Sequence, residues 1–228
     1  MFMDKKFLKD IFQWDVENWS RCLKFWEKYL PSNLKGLKVL EIGCGNGGLS
    51  LYFALRGANV ICSDLQYPEK AEYFHKNYGL KDNIHYASIN ALDIPYNDYF
   101  DIVCFKSVMG GVSRDGNDEY KNLMVKEIYK SLKEGGYLFF AENLSGCLIH
   151  RIARRLFVRW GKSWNYLKMS ELGGLFNNFA GFQYITYGFF GALGRNESQR
   201  MILGKLDRIL IKIIPSRWHY IIFGVAKK

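Results

Sequence analysis

Three glycines that directly follow a short apolar segment are the first residues of this sequence whose spacing suggests chemistry. Gly43, Gly45 and Gly47 come after residues 38–42 and open a stretch with helical periodicity. Gly43 permits a tight turn, and Gly45 lets the backbone approach a ligand without a Cβ in the way. Because the N–H groups at a helix start attract negative charge, the turn predicts a site for a small ligand that carries a carboxylate or another anionic group.

Two acidic residues flank this turn at positions that suit a nucleoside ligand. Glu41 stands two residues before Gly43, where its carboxylate could reach the amino group of a methionine moiety. Asp64 lies 21 residues after Gly43, at the end of a second apolar segment, where it can accept hydrogen bonds from both ribose hydroxyls. Gly43, Gly45 and Gly48 also satisfy the pattern G-x-G-x-x-G, so the turn by itself fits a nicotinamide enzyme as well as a methyltransferase.

Companion segments further along the chain separate these two classes. They are residues 90–96 (NALDIPY), residues 100–103 (FDIV) and residues 132–138 (LKEGGYL). With Glu41 and Asp64 in register, these segments resemble the class I S-adenosylmethionine-dependent methyltransferases, and the ubiquinone/menaquinone-type subgroup in particular. The resemblance covers about residues 37–143.

The resemblance implies a fold, a cofactor and a set of binding residues. The fold is α/β, a three-layer Rossmann-like sandwich with a seven-stranded, mostly parallel sheet of order 3-2-1-4-5-7-6, in which residues 220–226 form the antiparallel strand 7. The cofactor is S-adenosyl-L-methionine, with Glu41 and the glycines at its methionine end and Asp64 at the ribose. Asn90 stands where the family usually has an Asp that faces the adenine amino group, and Ala91 offers a backbone N–H there. The predicted cofactor-binding residues are Glu41, Gly43, Cys44, Gly45, Asp64, Leu65, Asn90, Ala91 and Lys106.

The periodicity of the chain supplies the elements that must position these residues. Short apolar segments predict strands, and stretches with helical spacing alternate with them over the first 145 residues. This alternation is typical of a parallel sheet covered on both faces, in which ligands bind at the carboxyl ends of the strands. Predicted strands are residues 38–42, 59–63, 84–88, 100–105, 136–141 and 220–226; predicted helices are residues 15–30, 49–55, 118–132, 147–161 and 201–214.

We expect one domain over residues 1–228, because the chain is too short for two well-buried cores. Its parts are an N-terminal helical region (1–35), the cofactor-binding core (36–145), a basic helical lid (146–180), and the C-terminal strands 6 and 7 with a helix between them (181–228). The N-terminal segment has no apolar signal core, and no stretch has the length of a membrane span. We therefore expect a cytoplasmic protein, with its five dispersed cysteines reduced.

The sequence contains fewer motifs that indicate catalytic residues than motifs that indicate the cofactor site. Methyl transfer from a sulfonium is an in-line displacement, so positioning plus one base for the acceptor proton can suffice. Residues 105–111 lack the Asn/Asp-Pro-Pro-aromatic motif of amino-methylating nucleic-acid enzymes, and the paired acids of magnesium-dependent catechol-type enzymes are missing. The sequence favours a metal-independent O-methyltransferase and leaves N- and C-methylation open.

Histidine supplies the candidate base. His150 follows the fifth strand closely, and an imidazole titrates near neutral pH. The alternative is that His150 faces solvent on a basic helix. His75 and His85 are expected away from the pocket, whereas Trp14 and Trp19 either fold over the methionine end or pack in the core.

The positive charge of the protein is concentrated in its last third. Up to Ser145 there are 18 Lys and Arg against 19 Asp and Glu, and from Gly146 onward there are 14 against 3, so the formal charge changes from −1 to +11. Residues 147–161 and 201–214 each place apolar side chains on one helical face and cationic ones on the others. Such helices suit an anionic bilayer, but they equally suit packing on their own domain with the charges in water.

The arginine-rich lid indicates a small anionic or sugar-type acceptor. Examples are a nucleotide- or lipid-linked glycan precursor for polysaccharide biosynthesis and a secondary metabolite. We further expect peripheral contact with the inner face of an anionic membrane. Three alternatives stay open. An RNA methyltransferase would use the basic tail to bind nucleic acid, an NAD-dependent oxidoreductase would share the glycine pattern, and a binding protein would keep the pocket without turnover.

Overall fold

A computed structural model describes residues 4–80, 82–158 and 161–228. Its seven strands form one sheet of order β3-β2-β1-β4-β5-β7-β6, which confirms the predicted fold. The strands are β1 Lys38–Ile42, β2 Asn59–Asp64, β3 Ile84–Ser88, β4 Phe100–Lys106, β5 Leu132–Asn143, β6 Gly181–Tyr187 and β7 Ile221–Lys227.

The pairing of the strands brings the predicted site residues to one edge. β1 pairs in parallel with β2 on one side and with β4 on the other, so that Glu41 lies beside Cys62 and Cys104. β7 runs antiparallel to both β5 and β6. Because the carboxyl ends of parallel strands meet at the same edge, the segments that follow β1, β2, β3 and β4 converge there.

Helices cover both faces of the sheet and divide the core into two apolar layers. One layer contains buried residues of the N-terminal helices such as Phe12 and Trp26, and the other contains Met124 and Ile128 of the long helix before β5. The helices are α1 Lys5–Phe12, α2 Val16–Trp19, α3 Arg21–Trp26, α4 Gly48–Ala54, α5 Glu69–His75, α6 Met109–Val112, α7 Asp118–Ser131, α8 Leu148–Phe157, α9 Leu172–Leu175 and α10 Glu197–Leu210.

The N-terminal region differs from the single helix predicted over residues 15–30. It forms two short helices, α2 and α3, because the backbone tightens at Ser20, whose carbonyl accepts from the N–H of Leu23 three residues later. The predicted apolar face is nevertheless buried, with Trp19 and Trp26 both at 0% exposure. An additional helix, α1, precedes these two and lies against α4.

Helix α8 buries polar side chains and exposes apolar ones, which is the reverse of an ordinary surface helix. Its buried residues are His150 and Arg154, whereas its apolar residues face outward. The exposed apolar side chains are Leu148, Ile149, Ile152, Leu156 and Phe157, each at least 50% exposed. The alternative that this apolar face packs on its own domain is therefore wrong for α8. Arg159 and Trp160, which were predicted to belong to this helix, lie outside the described residues.

Helix α10 repeats this arrangement. It buries Gly204 and Asp207 and exposes Ile202 and Ile209 at 65% and 71%. It begins at Glu197, earlier than the predicted residue 201, because the side chain of Asn196 caps it by accepting from the N–H of Gln199. Over the ranges that the structure describes, no helix combines the length and the apolar character needed to cross a membrane.

Candidate functional site

The glycine-rich turn lies between β1 and α4 and is enclosed by two other segments. Gly43 has a left-handed φ of 61°, and a Cβ there would come within 2.6 Å of the side chain of Val108, in the segment after β4. A Cβ on Gly48 would come within 1.9 Å of the Ile11 carbonyl oxygen at the end of α1. At Gly45 a Cβ would meet no atom within 4 Å, so the absence of a side chain keeps this part of the turn open. The turn is thus a tight backbone cradle with one open side.

Glu41 is buried directly under this cradle. One carboxylate oxygen, Oε2, accepts from the Ser50 N–H at 2.7 Å and from the Ser50 hydroxyl at 2.5 Å. Burial raises the pKa of Glu41 to about 7. Together with Gly43, Cys44, Gly45 and Lys106, Glu41 lines a cavity of about 210 Å³, which we call the cofactor cavity. A carboxylate held in this way can accept from a ligand ammonium group.

Asp64 stands at the rim of the cradle, at the end of β2. Its Oδ2 accepts from the Gly45 N–H at 3.1 Å, and its Oδ1 accepts from the Leu65 N–H at 2.8 Å. These two bonds orient the carboxylate beside the glycine turn while it stays half-exposed. The neighbouring Leu65 side chain is 69% exposed, which leaves an apolar surface next to the carboxylate.

The segment after β3 approaches Asp64 from the other side. The Ile89 N–H donates to the Asp64 carbonyl at 2.9 Å, which joins the ends of β2 and β3. Asn90 is exposed, and its Oδ1 accepts from the Leu92 N–H at 3.0 Å, whereas Ala91 is buried. The structure therefore brings the predicted ribose and adenine residues to one surface, with the Asn90 side-chain oxygen engaged in its own turn.

Lys106 closes the cofactor cavity at the end of β4. Its Nζ lies 4.6 Å from the ring centroid of Trp14 and 4.9 Å from that of Trp19, so two indole faces surround the amine. Burial lowers the pKa of Lys106 to about 8. Trp14 lines the cavity, whereas Trp19 is completely buried.

A second cavity of about 450 Å³ adjoins the first, and we call it the arginine cavity. Trp14 lines both cavities, and its ring centroid lies 4.6 Å from Lys106 Nζ and 5.6 Å from the Arg200 guanidinium carbon. The Asn143 amide, on the second side, donates to the Ser107 hydroxyl, on the first side, at 2.6 Å. The polar residues that line the arginine cavity are Asp15, Asn143, Arg154, Arg200 and Tyr220.

Sequence patterns did not single out the residues of the arginine cavity. Asp15 was assigned to a helix start, and Arg154 to a solvated helix face, because neither belongs to a motif. Arg154 is 8% exposed and donates to the Leu144 carbonyl at 2.6 Å, and it forms no ion pair with a carboxylate of the described ranges. The only signal was its place within the arginine-rich segment after β5.

His150, the predicted base, lies on α8 and packs against the segment that follows β6. It is completely buried, its Nε2 lies 2.8 Å from the Phe189 carbonyl oxygen, and its Nδ1 faces Cys147. Burial lowers the pKa of His150 to about 4. Because both ring nitrogens are engaged within the protein, the geometry favours a packing role over proton transfer, and solvent exposure, the alternative, is wrong.

The other histidines also have packing positions or lie elsewhere. His75 was expected away from the pocket, but its Nε2 lies 2.8 Å from the Gly47 carbonyl oxygen, so it supports the glycine turn from the outside. His85 is exposed on β3. In the described ranges, no group of three or more His, Cys, Asp or Glu side chains is arranged to hold a metal ion.

Comparison with known proteins defines the class. Residues 40–140 match the family described as Methyltransferase domain. The ubiquinone biosynthesis O-methyltransferase of Pseudomonas syringae pv. tomato is 31% identical over 114 residues, which is 48% of this chain and 46% of that protein. The chain thus aligns with about half the length of such curated relatives.

Solved structures share the fold over nearly the whole chain. A SAM dependent methyltransferase from Archaeoglobus fulgidus has a TM-score of 0.62 at 16% identity and covers 99% of this chain and 100% of that one. Haemonchus contortus phosphoethanolamine N-methyltransferase 2, solved in complex with S-adenosyl-L-methionine, has a TM-score of 0.64 at 17% identity and covers 92% of this chain and 52% of that one.

Residues 40–140, which include the glycine cradle, thus match a methyltransferase domain, and the fold of the chain is shared with solved methyltransferases. Within that class, its cofactor-binding half is similar to ubiquinone biosynthesis O-methyltransferases. The predicted class and cofactor are confirmed, and the match does not favour the nicotinamide alternative.

Proposed function

We propose that the protein transfers the methyl group of S-adenosylmethionine to a hydroxyl of a small anionic acceptor without a metal ion. The observation that supports this reaction best is the pair of adjoining cavities, one beneath the glycine cradle and one lined by two arginines. Trp14 and the Ser107–Asn143 hydrogen bond form the partition between them. A donor on one side and an acceptor on the other would react at this partition.

The residues around the cofactor cavity fit S-adenosylmethionine, which supplies an activated methyl group when bound. Glu41 offers a buried carboxylate to the amino group, and the open side of Gly45 admits a ligand close to the backbone. Asp64, already oriented by two N–H groups, would hold the ribose hydroxyls. The remaining residues assigned to the cofactor are Gly43 and Cys44 at the methionine end, Leu65, Asn90 and Ala91 around the adenosine, and Lys106 near the sulfur.

The arginine cavity suggests the chemistry of the acceptor. Arg154 is a buried guanidinium whose described partners are carbonyls and an aromatic ring, with its Cζ 4.1 Å from the centroid of Tyr166. Because a buried charge without a counter-ion is unfavourable, an anionic ligand would stabilise it. Arg200 adds a second guanidinium, and such groups bind carboxylate or phosphate oxygens in pairs. We infer an acceptor with a carboxylate or phosphate group, of which a phosphorylated or nucleotide-linked sugar is one example.

Methyl transfer from labelled S-adenosylmethionine to a small-molecule extract of bacterial cells tests this proposal. We expect label in the anionic fraction of the extract, and about a tenfold higher KM for that fraction in Arg200→Gln because one charge-assisted hydrogen bond is lost. Arg217→Gln, which removes an exposed arginine that does not line the cavity, is the matched control. Label that enters only RNA, or tight binding of NAD in place of S-adenosylmethionine, would contradict the proposal.

We also propose that the outward apolar faces of α8 and α10 contact an anionic membrane. These faces alternate exposed Ile and Leu side chains with exposed Arg151, Arg155, Lys205 and Arg208. An interfacial helix binds anionic lipid by burying its apolar face while its cationic residues stay at the headgroups. A soluble protein partner would not require this excess of positive charge.

Sedimentation with vesicles tests the membrane contact. We expect binding to vesicles that contain phosphatidylglycerol, weaker binding to pure phosphatidylcholine, and at least roughly tenfold weaker binding for Ile149→Glu/Ile152→Glu, because each buried Ile contributes about 1.5–3 kcal/mol. Tyr73→Glu, which changes an exposed aromatic residue on α5, should bind like the wild type. Equal binding of the wild type and the double variant would refute this contact.

A further inference from the structure

Asp15 combines three unusual features at the edge of the arginine cavity. Its side chain is 1% exposed, and its backbone has a left-handed φ of 47°, which is strained for a residue other than glycine. Its Oδ2 accepts a hydrogen bond from the Tyr220 hydroxyl. Its Oδ1 has no hydrogen-bond partner among the described residues although it is buried. Buried carboxylate oxygens are rarely left without a partner, so this one is available for a ligand.

The surrounding side chains hold the carboxyl group in place. The Tyr220 hydroxyl, which donates to Asp15, accepts from the Asn18 amide at 2.8 Å, and the same amide donates to Asp207 at 2.8 Å. Gly191 packs directly against these groups, since a Cβ there would lie 2.2 Å from the Asn18 nitrogen and 2.6 Å from the Tyr220 oxygen. Asp15 is thus fixed through Oδ2, whereas Oδ1 is buried beside Gly191 and has no hydrogen-bond partner among the described residues.

The position of Asp15 relates it to both cavities. It follows Trp14, the residue that separates them, and it is close enough to Lys106 in the cofactor cavity to interact with its charge. Gln13 and Asp15, on either side of Trp14, both have left-handed backbone angles. A small shift of this strained segment would relieve the strain, open the partition and expose Oδ1 to an acceptor.

We infer that Asp15 is the catalytic base and that its Oδ1 accepts the proton of the acceptor hydroxyl during methyl transfer. The acceptor O–H bond breaks as the O–CH₃ bond forms, and the S–CH₃ bond breaks with its electron pair passing to sulfur, which yields S-adenosylhomocysteine. The proton resides on Asp15 until it exchanges with water. This inference rests on the proposed function, since it requires a hydroxyl acceptor in the arginine cavity.

The electrostatics of the site set the pH dependence. Burial raises the pKa of Asp15 to about 8. The charged and titratable groups that face it from the surrounding elements are Tyr220 and Arg200, which lower the pKa, Glu197 and Asp207, which raise it, and Lys106. Because a base acts in its deprotonated form, the rate should rise with pH and level off above about pH 8.

Titration of the carboxyl group tests the inference without any acceptor. Carbon-13 spectra of the full-length protein, labelled at the aspartate carboxyl carbon and saturated with S-adenosylhomocysteine, should show one signal with a midpoint near pH 8. The signal should be missing in Asp15→Asn and should move to higher pH in Tyr220→Phe, which removes a hydrogen bond to the carboxylate. A midpoint near the ordinary value of about 4 would overturn the inference.

Methyl transfer to the anionic fraction of the bacterial extract provides the second test. Asp15→Asn should lower the rate by roughly 100-fold or more, which is typical for loss of a general base, and should abolish the alkaline rise. S-adenosylmethionine affinity should be unchanged, and Asp15→Glu should recover part of the rate. Asn tolerates a left-handed backbone, so the variant is compatible with the fold. Asp82→Asn, an exposed aspartate, is the control.

The outcomes separate this inference from the proposed function. If the wild type transfers methyl groups and Asp15→Asn does so at the same rate with the same pH profile, Asp15 is not the base although the proposed function stands. If the wild type binds S-adenosylmethionine but methylates nothing in the anionic fraction, the proposed acceptor class fails, and the catalytic role of Asp15 falls with it.

Discussion

Strands β1, β2 and β4 of the cofactor-binding half differ from helices α8 and α10 of the C-terminal third in the side chains that they bury. Around β1, β2 and β4 the core is apolar, and acidic groups such as Asp64 stand at the open edge of the sheet. In α8 and α10 the buried side chains are His150, Arg154 and Asp207, while Ile and Leu face outward. The two regions therefore use polar residues differently: one for a ligand, the other largely to attach helices to the domain.

Hydrogen bonds explain how the C-terminal arrangement is stable. Asp207 accepts from the N–H groups of Phe189, Phe190 and Gly191 and from the amide of Asn18. A buried polar group is tolerated when its hydrogen bonds are made, so α10 is held by polar contacts and its apolar face remains available for another surface. A helical pattern with one apolar face identifies the two faces, but it does not determine which of them is buried.

Of the variants that test this difference between the two regions, Asp207→Ala should have the largest effect on stability. It removes the acceptor of four hydrogen bonds, two of them buried, and we expect a loss of about 4 kcal/mol in the free energy of unfolding, measured by urea denaturation. Asp64→Ala, at the open edge, should leave the unfolding midpoint unchanged. If both variants are equally stable, the two regions do not differ as described.

The buried His150 of the C-terminal region should make the stability of the protein depend on pH. Its pKa of about 4 in the folded protein is below the ordinary value near 6.5, so the unfolded chain takes up the proton first. The contribution of neutral His150 to the free energy of unfolding is therefore fully present above about pH 6.5. It is lost as pH falls towards 4, by about 3 kcal/mol in total. His150→Asn should show a correspondingly shallower loss of stability in acid, measured as urea midpoints across this range.

The control for this measurement is His85→Asn, since His85 is exposed on β3 and should leave the acid profile as it is in the wild type. An acid profile of His150→Asn that parallels the wild type would contradict the buried, neutral state of His150.

Asp64→Ala should have the smallest energetic effect of the three, but the most specific one. Loss of the ribose contacts should weaken S-adenosylmethionine binding by roughly 100-fold, or about 2.7 kcal/mol, as measured by calorimetry. Asp82→Ala provides a matched exposed aspartate. Unchanged affinity in Asp64→Ala would remove this carboxylate from the cofactor site.

The sequence predicted the cofactor half far better than the other. β1 was predicted at its observed bounds because a short apolar segment directly before glycines allows few alternatives, and the bounds of β3 were also predicted correctly. Asp15, by contrast, precedes a helix in sequence and reaches the site only because β7 places Tyr220 beside it. Contacts between residues some 200 positions apart, such as this one, follow from tertiary packing and cannot be predicted from local periodicity.

A crystal structure of the complex with S-adenosylhomocysteine tests the central claim most directly. We predict the amino-acid end beside Glu41 and Gly43, the ribose on Asp64, and the sulfur directed at the partition formed by Trp14 and Asn143, towards the arginine cavity. Density for the ligand outside the glycine cradle, or a sulfur that points away from this partition, would contradict the account.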